Sequence, residues 1–247
     1  MIGILDSGLG GYTIFNALHH AYPEAAFWFL ADQINAPYGN KTPAQIQAIA
    51  QRNVTWFVKQ GITHIVIACN TINAVALNTL IQDNPAVTFY DVLSPTLAQL
   101  DGHAIKSWLI VGTQRTIESG LYQNALAQKS PQLTIQALAL PELVQMIEDL
   151  SDEATVRSYL QNKLADVQPT EGLILACTHY PLVAQAFEAV VPSVQIDSID
   201  PMVERFRQTN LPLGPSRCFT TGDPQHSQTQ VRALFNHEQG FSQVSIP

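Results

Sequence analysis

Apolar residues follow two alternating rhythms along this chain. Short, mostly apolar blocks ("IGIL", "AFWFLA", "THIVIA", "SWLIVG", "LTIQALA", "GLILA") are each followed by a turn and then by a stretch with helical spacing. Blocks of this length suit strands buried on both faces of a parallel sheet, and the helical stretches suit the crossovers between them. Strands alternating with helices in this way predict a parallel α/β architecture.

The elements can be placed. A strand over 2–5 leads through "DSGLGG" into a helix closed by Pro23, and a second strand over 26–31 precedes the loop "INAPYGNK". Thr42 followed by Pro43 reads as an N-cap with proline at the first helical position, and Gly61 as the residue that ends that helix. A strand over 63–68, a helix over 72–82 and a strand over 87–93 follow. The grammar then restarts: strand 107–112, loop and helix 113–129, strand 133–139, helices near 141–150 and 152–165, strand 172–176, helix 180–191, then a further strand and helix. The tail reads as strand, loop and helix. Two occurrences of one grammar predict two α/β domains, one of residues 1–94 with 208–247 returning to it, the other of residues 95–207.

Composition narrows the function. The 247 residues are 46% hydrophobic and 13% charged, against roughly 25% charged in an average globular protein. The net charge is −8 and no lysine or arginine run occurs, which argues against nucleic-acid and anionic-membrane partners. No segment reaches the ~18 apolar residues of a membrane span, and the N-terminus lacks the basic start of a signal peptide. Three cysteines make no disulfide framework, and their spacing fits no zinc pattern, so no metal is expected. A reducing cytoplasm is the expected compartment. A homodimer is the commonest form of a soluble oligomer.

The candidate chemistry lies in a repeated phrase. "IVIACNT" and "LILACTHYP" each end a buried block on Ala-Cys and then turn polar, placing Cys69 and Cys177 at the carboxyl ends of two strands. Ligands of open α/β sheets bind at that end. A helix N-terminus there would favour thiolate over thiol and hold a carboxylate. Two thiols across one cleft suit inversion of a stereocentre, one removing a proton and the other delivering one to the opposite face. The competing reading is that cysteine often serves as a small buried hydrophobe. Cys218, in "SRCFTT", is read that way.

Through these residues the sequence resembles a known family. "ILDSGLGGYTI", "APYGNKTP", "IVIACNT", "VGTQRTIESGLY" and "LILACTHYPL" are similar, in order and over residues 3 to about 223, to the motifs of cofactor-independent glutamate racemases. The resemblance implies two α/β domains related by a pseudo-twofold, with the site in the cleft between them. It implies interconversion of L- and D-glutamate without cofactor, supplying D-glutamate for peptidoglycan. By the same resemblance Cys69 and Cys177 match the acid/base pair, and Asp6, His179 and Glu148 the groups that assist the thiols. Asp6, Ser7, Pro37, Tyr38, Gly39, Asn70, Thr71, Thr113, Thr116 and Thr178 match the substrate-binding positions. The family's precursor-regulated members carry an N-terminal extension, so that control is not expected here.

Each of these residues also has a purely structural reading. Asp6 before Ser-Gly can cap the first helix. His179 can be a helix-start residue bonded to backbone, Glu148 part of a solvated helix face, and Thr113 and Thr116 caps. "APYG" is turn chemistry in any case. Two further functions stay open: racemisation of aspartate or another small carboxylate on the same scaffold, and a catalytically silent protein that binds a small acid or another protein.

Overall fold

The computed structural model describes residues 1–102 and 104–247, the side chains of 101 and 102 excepted. The chain builds two parallel sheets. The first half gives β1 (Ile2–Asp6), α1 (Tyr12–Ala21), β2 (Phe27–Ala31), α2 (Pro43–Lys59), β3 (His64–Ile67), α3 (Asn70–Val75), α4 (Leu77–Asp83), β4 (Thr88–Tyr90) and α5 (Leu93–Ala98). The second gives β5 (Ser107–Gly112), α6 (Gln114–Glu118), α7 (Leu121–Lys129), β6 (Thr134–Ala139), α8 (Leu143–Glu148), α9 (Glu153–Lys163), β7 (Gly172–Ala176), α10 (Ala184–Val190), β8 (Val194–Ile196) and α11 (Ile199–Phe206). The tail adds β9 (Arg217–Thr220), α12 (Pro224–Phe235) and β10 (Phe241–Gln243).

The first sheet has the order β10-β9-β2-β1-β3-β4 and the second β6-β5-β7-β8. Every pairing within them is parallel. The core of the first sheet, β2-β1-β3-β4, thus repeats as β6-β5-β7-β8, and the expected pseudo-twofold takes the form of one topology used twice. In each copy the chain leaves the central strand to one side and then returns to the other. That makes the gap between β1 and β3, and the gap between β5 and β7, a switch point where ligands bind.

Side-chain alternation splits each sheet's apolar residues between two faces. From β1, Ile2 and Ile4 pack with Tyr12, Phe15 and Leu18 of α1. Leu5 turns to the other face, with Ile46, Val54 and Phe57 of α2. In the second sheet Leu109 and Val111 meet α8 and α9, while Trp108 and Ile110 meet Tyr122 and Leu126 of α7. The α2 boundaries follow the sequence signals. Thr42 and Gln45 form a reciprocal capping box around Pro43, worth about 1 kcal/mol, and Gly61 takes a left-handed φ of 76° that other residues resist.

Several expectations need correction. The helix over 72–82 is two helices with a break at Ala76, because Gln47 donates to the Val75 carbonyl at 2.8 Å and takes it out of the helical ladder. The strand over 87–93 stops at Tyr90, where the Asp91 carboxylate accepts the Ser94 N–H at 2.6 Å and turns the chain into α5. The loop expected at the start of 113–129 is itself a short helix, α6, separated from α7 at Gly120, which has a positive φ of 69°. The helix over 180–191 begins as a 3-10 turn, Tyr180–Val183, because Pro181 has no N–H to donate to the Cys177 carbonyl. β10 was not foreseen, since three residues show no periodicity. Helix α11, within the expected range of the second domain, buries Met202 and Phe206 in the core beneath the first sheet.

Candidate active site

Both switch points open on one cavity of about 190 Å³. This is below the roughly 300–1,000 Å³ of sites for drug-sized ligands, so it suits a small metabolite. Of the residues singled out from the sequence, Ser7, Pro37, Tyr38, Gly39, Cys69, Asn70, Thr71, Thr113, Glu148, Cys177, Thr178 and His179 line it. Asp6 and Thr116 stand just behind. Asp6 is fully buried and bonds Thr178, and Thr116 bonds Thr113 at 3.0 Å. The convergence follows from register. Leu5 pairs with Ile67 and Gly112 with Ala176, so Ser7 emerges beside Cys69, and Thr113 beside Cys177.

Each sulfur is backed by its own polar chain. Cys69 Sγ donates to Ser7 Oγ at 3.6 Å, and Ser7 Oγ lies 3.5 Å from Asp6 Oδ1. Asp6 also accepts the Gly8 N–H at 3.0 Å and the Thr178 hydroxyl at 3.2 Å. On the other side Cys177 Sγ lies 3.9 Å from His179 Nδ1, and His179 Nε2 lies 2.8 Å from Glu148 Oε1. The Thr178–Asp6 bond ties the two chains together.

Burial sets the charge states. It pushes the Asp6 carboxyl from 3.8 up to about 6, although the nearby His179 charge and the Gly8 and Thr178 bonds pull the other way. For His179 burial disfavours the charged ring. Its bonds to Cys177 and Glu148, with their charges, outweigh this and hold it well above 6.5. Glu148 is likewise penalised by burial, but the His179 bond and charge and the Leu9 N–H leave it below its ordinary 4.5. An imidazolium–carboxylate pair therefore stands behind Cys177.

Cys69 contradicts the expectation of a thiolate favoured by a helix N-terminus. Burial, with the Asp6 charge second, drives its thiol up to about 12, outweighing the Ile72 N–H and the Ser7 hydroxyl. α3 is only six residues long, and Cys177 is followed by a 3-10 turn rather than an α-helix. The local dipoles are too short to prevail.

The Gly-rich motif allows the two sheets to meet. A Cβ on Gly10 would lie 2.3 Å from His179 Nδ1 and 2.4 Å from Thr178 Oγ1. One on Gly11 would lie 2.4 Å from Asp6 Cβ. Only glycine permits this approach.

Tyr38 contributes differently from the small polar groups around it. Its hydroxyl turns away from the cavity to donate to the buried Asp32 at 2.5 Å, and Asn53 and Thr221 bond the same carboxylate. Its ring lines the wall. Gly8, Gln33, Ala36, Val144 and Gln145 also line the cavity and were missed by the sequence reading. The spacing of Gln145 and Glu148, three apart on one helix, was a signal for the former. Gln33 carried none. Among the described residues no three His, Cys, Asp or Glu side chains gather as a metal site requires.

Comparison with known proteins agrees with this geometry. The family described as Asp/Glu/hydantoin racemase matches residues 13–208. The chain is 33% identical to the glutamate racemase of Limosilactobacillus reuteri over 210 residues, 84% of this chain and 78% of that one. A glutamate racemase structure from Bacillus anthracis superposes with a TM-score of 0.92 at 25% identity, covering 100% of this chain and 98% of that one. The Francisella tularensis glutamate racemase in complex with D-glutamate gives 0.88 at 25% identity, covering 99% and 97%.

Proposed function

The chain belongs to the Asp/Glu/hydantoin racemase family, and from that premise we propose that it interconverts L- and D-glutamate through the thiols of Cys69 and Cys177. The observation that carries this reading is that both sulfurs line one small cavity, each with a separate proton-handling chain behind it. In one direction the Cys177 thiolate takes the Cα proton as the Cys69 thiol gives its own to the opposite face. Cys177 is then the thiol and Cys69 the thiolate. Exchange through Ser7 and Asp6 on one side, and His179 and Glu148 on the other, restores the starting state. Reversal exchanges the roles.

The Cα proton is weakly acidic, so the site must stabilise charge that develops toward the α-carboxylate. Preorganised donors in a water-poor cavity do this best. Asn70, Thr71, Thr113 and Thr178 supply such groups, with Ser7 beside Cys69 and Pro37, Tyr38 and Gly39 closing one wall. Thr116 holds Thr113 in place. An Asp6 carboxyl titrating near 6 is matched to proton transfer near neutral pH. The unit built on the first sheet, into whose core α11 is packed, and the unit built on the second open and close against each other to admit substrate. The D-glutamate formed supplies peptidoglycan. The cytoplasm suits the enzyme, since its reducing conditions keep all three free thiols reduced.

The test is loss of optical rotation from pure L-glutamate without added cofactor, run in D₂O. Deuterium should enter Cα of the product, and Cys69→Ala or Cys177→Ala should abolish turnover in both directions. Normal racemisation by Cys177→Ala defeats the two-thiol mechanism. Turnover of aspartate but not glutamate replaces the substrate and leaves the chemistry standing.

A further inference from the structure

Asn70 follows Cys69 directly and lines the cavity, yet only 3% of it is exposed. Its carboxamide has two unlike ends. Oδ1 accepts the Tyr122 hydroxyl at 2.5 Å. Nδ2 is buried and has no hydrogen-bond partner among the described residues. A buried amide nitrogen without an acceptor is costly unless something else fills the role.

Tyr122 comes from the other sheet. It sits on α7, 1% exposed, packed among Trp108, Ile110 and Leu126. Burial pushes its phenol well above 10, so it stays protonated and remains a donor at any working pH. The two flips of an Asn amide have nearly the same shape, so packing alone does not choose between them. The Tyr122 hydroxyl hydrogen, which points at Oδ1, favours the flip seen here and leaves Nδ2 for another acceptor.

We propose that Tyr122 is a positioning residue that holds the Asn70 amide with its oxygen toward Tyr122 and its nitrogen toward the cavity, where the NH₂ donates to a carboxylate of the bound amino acid. A ligand that completes a bare amide nitrogen must offer an acceptor, and a carboxylate oxygen is the strongest one an amino acid carries. The opposite flip would turn a carbonyl oxygen toward the anion and repel it. Because donor and amide lie on different sheets, the lock exists only at the present spacing of the two units. The inference rests on the racemase reading for the identity of the ligand.

The test is Tyr122→Phe, which removes one oxygen and keeps the ring. The expected result is an approximately tenfold rise in KM for both glutamate enantiomers, with kcat changed less than threefold. In an Asn70→Ala background the same substitution should change KM less than twofold, since neighbours acting through one group are not additive. An unchanged KM in Tyr122→Phe, or an equal rise in the Asn70→Ala background, overturns the proposal. Asn70→Asp serves as a second variant. It keeps the acceptor for Tyr122 and replaces the NH₂ with a charged oxygen, so KM should rise at least a hundredfold. Wild-type KM in that variant also overturns it. Wild-type racemisation is measured alongside, and its absence removes the racemase reading alone. The lock is then read in protein labelled with ¹⁵N-asparagine. The Asn70 amide signals, identified by their loss in Asn70→Ala, should shift on Tyr122→Phe. No shift sinks the lock whatever the substrate.

Discussion

Thr178, at the end of β7, donates its hydroxyl to the carboxylate of Asp6, at the end of β1, at 3.2 Å. This one bond joins the two sheets at the point where both sulfur-bearing loops begin. It also belongs to a carboxyl whose charged form is strongly disfavoured by burial.

Asp6→Asn should stabilise the protein at neutral pH while impairing it. Burial raises the Asp6 carboxyl from 3.8 to about 6, so the native state binds its proton more tightly than the unfolded state does. Stability contributed by this group therefore falls as pH rises from 3.8 to 6, and the full penalty, about 3 kcal/mol, is present above 6. Urea unfolding should show the variant more stable by up to that amount at pH 8 and equal to wild type only below pH 3.8. In the proposed mechanism the same carboxyl gives kcat/KM an acid limb near pH 6, which the variant should lose.

Cys69 should behave as a protonated thiol in the free enzyme. With its thiol raised to about 12, carbamidomethylation followed by mass spectrometry should accelerate about tenfold per pH unit between pH 8 and 11. The Asp6 charge is the second cause of that rise. Asp6→Asn should therefore speed Cys69 alkylation at a given pH even as it slows racemisation.

Glu148→Gln should release His179. Histidine NMR titration should find the His179 ring well above 6.5 in wild type and sharply lower in the variant. The raised His179 contributes stability that is complete below 6.5 and lost as pH rises through its folded value. The depressed Glu148 contributes stability that is complete above 4.5 and lost as pH falls through its folded value. The pair's contribution is thus complete between pH 4.5 and 6.5. Chemical denaturation should show the largest loss there, about 2 kcal/mol, the scale of a hydrogen bond to a charged group.

Gly10→Ala should fold and fail. The added methyl would meet His179 Nδ1 at 2.3 Å, so the sheets must separate at the site while each keeps its own core. Misplacement on the ångström scale costs about a hundredfold in rate. Circular dichroism should match wild type while kcat/KM falls by about that factor.

The architecture was legible because it is written in local patterns. Uninterrupted blocks such as Ile65–Ile67 belong to strands covered on both faces. The Thr42–Pro43 start and the Gly61 stop are backbone chemistry that each residue carries with it. The repeat of Ala-Cys at two strand ends located Cys69 and Cys177 for the same reason, since a strand's carboxyl end is a local property. What escaped depended on partners distant in the chain. Gln47 breaks a helix 28 residues away by taking the Val75 carbonyl. Asp91 is the local exception: by accepting the N–H of Ser94, three residues on, it ends a strand that the apolar pattern would continue. Gln33 joins the cavity wall without any mark in its own neighbourhood.

By itself the sequence determined two runs of parallel α/β grammar and the strand-end placement of both thiols. The tertiary structure decided the electrical character of the site. Whether Asp6, Cys69, His179 and Glu148 hold their protons depends on how completely each is withdrawn from water and on which charge stands within a few ångströms. Those quantities arise only when segments separated in the chain are folded together, in the case of Asp6 and Thr178 segments 172 residues apart. Local dipoles inferred from sequence predicted an acidic Cys69, and burial beside a carboxylate reversed it.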